Sequence, residues 1–424
     1  MHAGLSFEQA PPLSVPLRFL LTAPAFLFAA GLLLVFYPEA LASRWTPQAL
    51  ALTHTLTLGF LAMVMLGALM QMLPVVAGAI LPAGRAVAGI GHVSLALGTL
   101  ALVAGFLLGA PAAFGVASVL LAAGFSVFLL AAALGLARAV TNETVAGIRY
   151  ALLGLALAAG LGIVLALVRA VAWMPAAIDA VRGAHVVFGL LGWVLLLVIG
   201  VAYQVVPMFQ ITPPYPPWLA RRLAGAIAAL LVAHAASAWL LPEATPLVEA
   251  GLAGAVVLFA VTTLRLQARR RRTLPDVTLD FWRVGMASLL ACVALWSAAR
   301  LWPALAHSDA HAVLQGVLFL GGFAVSVVTG MLYKIVPFLA WFHLQAQLQA
   351  KAGSIPTMKD MIAARAMRWQ FRLHLAACAL LVGAALWAPL TAVAGGVLAL
   401  SAGVLWLNLF SATRRFAGHG GLFS

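Results

Sequence analysis

Five of the ten histidines stand where they could bind a metal ion or a heme. His54, His185, His307 and His311 lie near the start of long apolar segments, and His234 lies near the end of another. An ionisable side chain inside a membrane is costly and usually marks a function, and neutral imidazole is the commonest protein ligand for metals. For any one of these histidines, a hydrogen bond to a nearby backbone carbonyl is the alternative. The five together predict ligation.

The elements that position these histidines follow from composition. Of the 424 residues, 65% are hydrophobic and only 8% are charged, which no packing of soluble domains could accommodate. A bilayer core of about 30 Å needs about 20 apolar residues per helix. That length predicts an all-α membrane protein with about twelve transmembrane helices, near residues 16–37, 47–80, 86–109, 112–138, 147–169, 180–209, 218–241, 245–266, 280–303, 307–343, 369–388 and 390–412.

The net charge of +14 indicates orientation, not nucleic-acid binding. Most basic residues fall in alternate loops, and the opposite loops hold only Arg44, Arg169, Arg182 and Arg300. The positive-inside rule then places both termini in the cytoplasm and the five histidines toward the outer face, in a bacterial-type inner membrane. Residues 351–368 form the longest polar interruption, predicted as a cytoplasmic surface segment that is either a short helix or a solvated loop.

One pattern recurs in the second, sixth and tenth helices. In each, two glycines stand fifteen and seven residues before a proline, and an aromatic residue follows the first glycine. The three copies are Gly59, Phe60, Gly67 and Pro74; Gly192, Trp193, Gly200 and Pro207; and Gly322, Phe323, Gly330 and Pro337. The recurrence predicts a single membrane domain over residues 1–424 with repeats near 16–138, 147–266 and 280–412, arranged as three four-helix arcs around a pseudo-threefold axis.

At these residues the sequence resembles the heme-copper oxidase subunit I superfamily, including the nitric oxide reductases, and the NnrS family of heme- and copper-containing membrane proteins. The resemblance lies in His54 and Thr55, where the second helix enters the membrane, and in Gly67 and Leu73-Pro74, toward the end at which it leaves. Twelve helices in three arcs is also the architecture of that superfamily. The layout covers the whole chain, whereas the motifs cover only helices two, six and ten.

The resemblance implies a role as a heme or metal ligand for each of the five histidines. His54 and His311 would be the axial ligands of a heme b, and His307 the ligand of a second heme or metal, although the roles of His307 and His311 are open to exchange. His185, His234 and His307 would hold copper or non-heme iron. Arg44 and Arg300 would bind the heme propionates by charge-assisted hydrogen bonds, with anchoring at the membrane interface as the alternative.

Departures from the family pattern bear on activity. Ala235 follows His234, so a histidine pair is missing, and no tyrosine follows His185 in the next turn. The ten acidic residues are all expected in loops or at helix ends, so no buried proton relay is predicted. Cys292 and Cys378 fall in separate apolar segments and are expected to be inert core residues.

The predicted function is electron transfer, or binding of or response to nitric oxide or another diatomic gas, and oxidoreductase turnover is left open. The expected partners are membrane lipid, a cytochrome or quinol electron donor or a partner subunit, and the gas itself. One alternative is a copper or heme transporter or assembly factor that uses the histidines together with Met63, Met65, Met70 and Met72. A structural subunit of a membrane redox complex is another.

Overall fold

The computed structural model describes residues 7–173, 176–271, 274–348 and 355–423. These residues form helices and connecting turns and contain no β-strand. Twelve helices are long and apolar enough to cross a membrane. They are α1 (Ser14–Phe36), α2 (Pro47–Ala77), α3 (Gly84–Leu108), α4 (Pro111–Leu136), α5 (Glu143–Ala170), α6 (Ile178–Gln210), α7 (Pro217–Ser237), α8 (Pro242–Ala268), α9 (Val277–Leu301), α10 (Asp309–Leu348), α11 (Ala364–Leu386) and α12 (Ala388–Gly418). The protein is an all-α, multi-pass membrane protein, which confirms the predicted fold class.

The three helices that share the glycine and proline pattern are also the most buried. In α2, 83% of the most apolar stretch is buried inside the protein, against 28% in α7. Since consecutive helices alternate in direction, α2, α6 and α10 begin at the same end of the bundle, which we call the His54 end. The opposite end is called the Gln71 end.

Each of these three helices changes from α-helical to π-helical geometry at the same place. The π-helical segments are Thr55–Ala62, Phe188–Leu195 and Val317–Val325. Each contains the first glycine of the sequence pattern. Segments of π-helix are rare and frequently occur at functional sites. The sequence repeat therefore corresponds to a repeat of local structure.

The repeated glycines allow close contact with the preceding helix. A Cβ atom on Gly59 would collide with the ring of Phe26 on α1. On α5, a Cβ atom on Gly147 would lie 2.5 Å from the Cα of Gly200, and on Gly330 of α10 it would lie 2.7 Å from the Cβ of Phe281 on α9. Small residues are the usual means by which membrane helices approach closely. The pattern thus packs α2 on α1, α6 on α5 and α10 on α9.

The remaining contacts join neighbouring groups of four helices. The fourth helix packs along the fifth, the eighth along the ninth, and the twelfth along the first. The order of contacts therefore closes on itself. A pseudo-threefold axis relating three arcs stays a prediction.

The segment before α11 is a chain of turns where the structure describes it, from residue 355 to residue 363. Met361 and Ile362 are buried against the protein, at 0% and 1% exposure. Residues 355–363 therefore do not form a surface helix with these side chains in lipid. Residues 351–354 of the predicted surface segment lie outside the described residues.

Candidate functional site

A cavity of about 820 Å³ lies among the helices at the His54 end. Small-molecule and cofactor sites usually have volumes of about 300–1,000 Å³, with apolar walls and a few placed polar groups. Most of the lining here is apolar. The ionisable residues that line it are Arg44, His54, Arg169, Arg182, His185, His234, Glu249, Cys292 and His311.

His54 stands at the last α-helical position before the first π-helical segment. Its Nδ1 donates a hydrogen bond of 2.7 Å to the backbone carbonyl of Leu50. Because a carbonyl oxygen can only accept, the proton is on Nδ1 and the lone pair is on Nε2. The ring also stacks on Phe106, with 5.3 Å between centroids. His54 is therefore held in the tautomer that binds a metal through Nε2.

His185 on α6 is held in the same way, but by a neighbouring helix. Its Nδ1 donates to the carbonyl oxygen of Ala158 on α5 at 2.9 Å. One turn along α5, Gly162 leaves room for the ring, because a Cβ atom there would lie 2.8 Å from Cε1 of His185. Both the hydrogen-bonded alternative and the ligand role are compatible with this geometry, since the bond uses only one ring nitrogen.

The two histidines face each other. The ring centroids of His54 and His185 are 6.1 Å apart, and their planes differ by 14°. Imidazole nitrogens bind metal ions at about 2.0–2.1 Å, so two imidazoles on opposite sides of one ion have centroids about 6 Å apart. The separation equals that of two imidazoles on one ion, and because each Nε2 lone pair lies in its ring plane, the two stacked rings would turn toward the ion to bind it. The resemblance paired His54 with His311, whereas the structure brings it to His185.

His234 and His311 line the same cavity with a free ring nitrogen. Nδ1 of His234 and Nε2 of His311 are buried and have no hydrogen-bond partner in the part of the chain that the structure describes. A buried polar atom without a partner costs about 1–3 kcal/mol. A ligand that binds these nitrogens would remove that cost.

His307 lies elsewhere, so its predicted roles as a heme or metal ligand are not supported by its position. It is exposed, is absent from the cavity lining, and its Nδ1 donates to the carbonyl of Pro303 at 2.7 Å. The reason is local: Ser308 is the N-cap of α10, since its Oγ accepts from the amide of His311. His307 therefore precedes α10, and the two histidines do not share one helix face.

The predicted metal set of His185, His234 and His307 is not assembled. Within the described ranges there is no group of three or more His, Cys, Asp or Glu side chains that could hold a metal ion. Two of the three, His185 and His234, do line the cavity.

The arginines at the cavity differ in part from those expected. Arg44 lines it, with its guanidinium 4.7 Å from the ring of Trp45. Arg300 is not in the cavity lining. It forms an ion pair with Glu249, which does line the cavity. Arg169 and Arg182 line the cavity in its place.

Arg169 and Arg182 are held by different contacts. The Arg169 guanidinium lies 5.6 Å from the ring of Phe106 and 5.8 Å from that of Phe114. Arg182 forms a salt bridge of 2.7 Å with Asp179. Arg169 and Arg182 thus add two cationic groups to the lining of a largely apolar cavity.

A second cavity, of about 290 Å³, lies between α2, α6 and α10 nearer the Gln71 end. Met65, Met72, Met208 and Met331 are among its lining residues, as are Gln71 and Gln204, which occupy matching positions in the repeat. Oε1 of Gln71 is buried with no hydrogen-bond partner among the described residues. Met63 and Met70, also considered as ligands, are buried but are not in this lining.

Fold and site together define a class: a twelve-helix membrane protein with a histidine-lined cavity at one end of its central helices. Comparison of the chain with protein-family models gives no match. Comparison with curated protein sequences gives none either. Function is therefore argued from the site.

Proposed function

We propose that this protein binds heme b in the large cavity and serves in electron transfer or in binding of, or response to, nitric oxide or another diatomic gas. The proposal places it with the heme-copper oxidase subunit I superfamily or the NnrS family. One observation carries it: the imidazoles of His54 and His185 face each other at 6.1 Å, each with Nδ1 bound to a carbonyl.

The donor set and the cavity fit a heme. A heme has a broad apolar ring and two carboxylates, and the cavity has apolar walls bordered by Arg169 and Arg182. Phe106 and Phe114, beneath Arg169, add flat apolar surface. When bound, heme supplies a one-electron couple whose potential depends on its axial ligands and on the surrounding polarity. Histidines fixed by carbonyl hydrogen bonds are more basic and better oriented ligands.

His234 and His311 would serve a second site. Each offers a buried nitrogen without a partner, as expected of ligands to a second heme, copper or non-heme iron. In this proposal His54 and His185 hold the electron-transferring heme, and the gas binds at the second site. A cytochrome or a quinol would be the electron donor, and the positive-inside pattern supports an inner-membrane location with both termini cytoplasmic.

The experiment is a comparison of purified variants by reduced-minus-oxidised absorption spectra and elemental analysis. We expect a b-type spectrum in the wild type and its loss in His54→Ala and His185→Ala. His307→Ala is the matched control and should keep the spectrum, because His307 is exposed and outside the cavity lining.

Two outcomes would contradict the proposal. A wild-type protein with neither a b-type spectrum nor bound metal would end it. If His311→Ala abolished the spectrum while His185→Ala left it intact, the axial pair implied by the family resemblance would replace the pair proposed here.

The second cavity supports a second candidate, movement of copper across the membrane. Thioether sulfur is a soft ligand for Cu(I), and four methionines line the cavity beyond the histidines on the same helices. Copper uptake into vesicles that hold the protein should then fall in Met72→Leu and Met331→Leu. Met63→Leu is the control, because Met63 is buried outside this lining. Copper uptake equal to that of the wild type in all three variants would exclude this candidate.

A further inference from the structure

A third group of polar side chains lies in the middle of the bundle, away from both cavities described so far. His374 and Cys378 are one turn apart on α11, and Nε2 of His374 is 3.5 Å from Sγ of Cys378. Ser326, on α10 just after the third π-helical segment, is hydrogen-bonded to His374 through Oγ at 2.7 Å. His374 is 2% exposed and Ser326 is 0% exposed.

A narrow cavity connects this group with the His54 end. It has a volume of about 100 Å³, and both His374 and Cys378 line it. Ala40, Leu41 and Arg44, which precede α2, line it as well. The His374 and Cys378 side chains and the residues before α2 therefore border one space.

We propose that His374 and Cys378 form a binding site for one Cu(I) ion. Thiolate and imidazole are the ligands that soft monovalent copper favours. Sγ and Nε2 are already close enough for one ion to touch both with only small side-chain movement. The site is separate from the heme proposal and does not depend on it.

Charge selects Cu(I) over a divalent ion. Binding replaces the thiol proton, which leaves through the narrow cavity, so a thiolate, a neutral imidazole and Cu⁺ have no net charge. The same two ligands with Zn²⁺ would leave one positive charge, and an uncompensated charge in an apolar interior is costly. The described residues provide no third His, Cys, Asp or Glu here to neutralise it.

The Ser326 hydroxyl can change its hydrogen-bond partner when the ion binds. Oγ of Ser326 is 3.5 Å from the carbonyl oxygen of Gly321, and Sγ of Cys378 is 3.8 Å from the same oxygen. When the ion takes Nε2 of His374, the Ser326 hydroxyl can donate to Gly321 instead. The Ser326 hydroxyl then keeps an acceptor.

The test is copper binding under anaerobic conditions, with the purified protein competing against a coloured Cu(I) chelator. We expect Cys378→Ser and His374→Gln to retain one copper per chain fewer than the wild type. His419→Gln is the matched control, since His419 is exposed and lines neither the large nor the narrow cavity. Zn²⁺ offered in place of copper should not be retained at this site.

A second measurement needs no substitution at the site. Bound Cu(I) should slow alkylation of Cys378 in the folded wild type at least tenfold while Cys292 is alkylated at an unchanged rate, as read by mass spectrometry. Equal copper in the wild type and Cys378→Ser, or equal alkylation of Cys378 with and without copper, would overturn the proposal. His54→Ala should keep this copper while losing the b-type spectrum, so failure of one proposal is distinguishable from failure of the other.

Discussion

The tautomers of His54 and His185 are the most informative feature at the scale of single residues. Each ring has one nitrogen committed to a backbone carbonyl, at 2.7 Å and 2.9 Å. From the sequence alone, each histidine could either form a hydrogen bond to a backbone carbonyl or bind a metal. The structure makes the two roles compatible, because the hydrogen bond uses only one ring nitrogen. A hydrogen bond through Nδ1 orients a ligating histidine.

The sequence contains a signal for this pair that the family resemblance obscured. His54 and His185 stand twenty and twenty-two residues before the proline of their repeat, and His311 stands twenty-six before its own. At 1.5 Å per residue, the first two differ by about 3 Å in height and His311 is about 9 Å farther from the proline than His54. Counting from the repeat would have paired His54 with His185.

Gly162→Ala should weaken heme binding, because a methyl group there would press on Cε1 of His185 and break its bond to Ala158. Supports of this kind are worth roughly 10- to 100-fold in metal affinity. Heme titration of the purified variant measures the effect. Gly160→Ala is the control, since nothing lies within 4 Å of its added Cβ atom. Equal affinity in both variants would mean that His185 is not a ligand.

At the scale of elements, the repeated glycines set the distance between paired helices. Gly147→Ala would place a Cβ atom 2.5 Å from the Cα of Gly200, and a backbone atom cannot move aside as a side chain can. Overpacking of this kind costs about 1–3 kcal/mol. We expect a lower midpoint of thermal unfolding in detergent, whereas Gly254→Ala, which meets nothing within 4 Å, should unfold like the wild type. An unchanged midpoint for Gly147→Ala would argue against this close packing.

A partly buried ion pair joins α10 to the start of α9. Nζ of Lys334 lies 2.9 Å from Oδ2 of Asp276, and the two side chains are 15% and 14% exposed. Lys334 contacts the N-cap of α9, where Asp276 also accepts from the amide of Thr278. Lys334, three residues before Pro337 of the third repeat, therefore makes a contact between helices.

Lys334→Met should destabilise the protein, because it leaves the partly buried Asp276 carboxylate without its partner. Removing one member of a fully buried pair costs about 3–5 kcal/mol, and solvent contact makes the cost smaller here. Adding Asp276→Asn should restore much of the loss, as a thermal double-mutant cycle would measure. Additive effects of the two substitutions would mean that the pair contributes no coupling.

At the scale of the whole molecule, the alternation of arginine-rich and arginine-poor loops predicts orientation. Reporter fusions after residue 418 and within the 302–308 loop test it. A fluorescent protein that folds only in the cytoplasm should be bright at the first site, and alkaline phosphatase, active only outside, should be active at the second. The reverse pattern would place the His54 end in the cytoplasm and overturn the proposed outer location of the site.

The number of helices and their membrane character followed from the sequence because both depend on local properties. An apolar segment of sufficient length must form its backbone hydrogen bonds internally, so it becomes a helix wherever it lies in the membrane. The repeat was also visible, and the matching π-helical segments agree with it. The start of α10 differs from the prediction because Ser308 caps the helix.

The sequence by itself determined which segments cross the membrane and which side chains are costly there, because burial of apolar surface and of imidazole depends on composition and periodicity. Only the tertiary structure decided which histidines meet. Packing of α6 on α5 brings His185 to the carbonyl of Ala158 and opposite His54, while the cap at Ser308 leaves His307 outside. Contacts between distant segments depend on helix height, rotation and the room left by glycines, and no single segment specifies these.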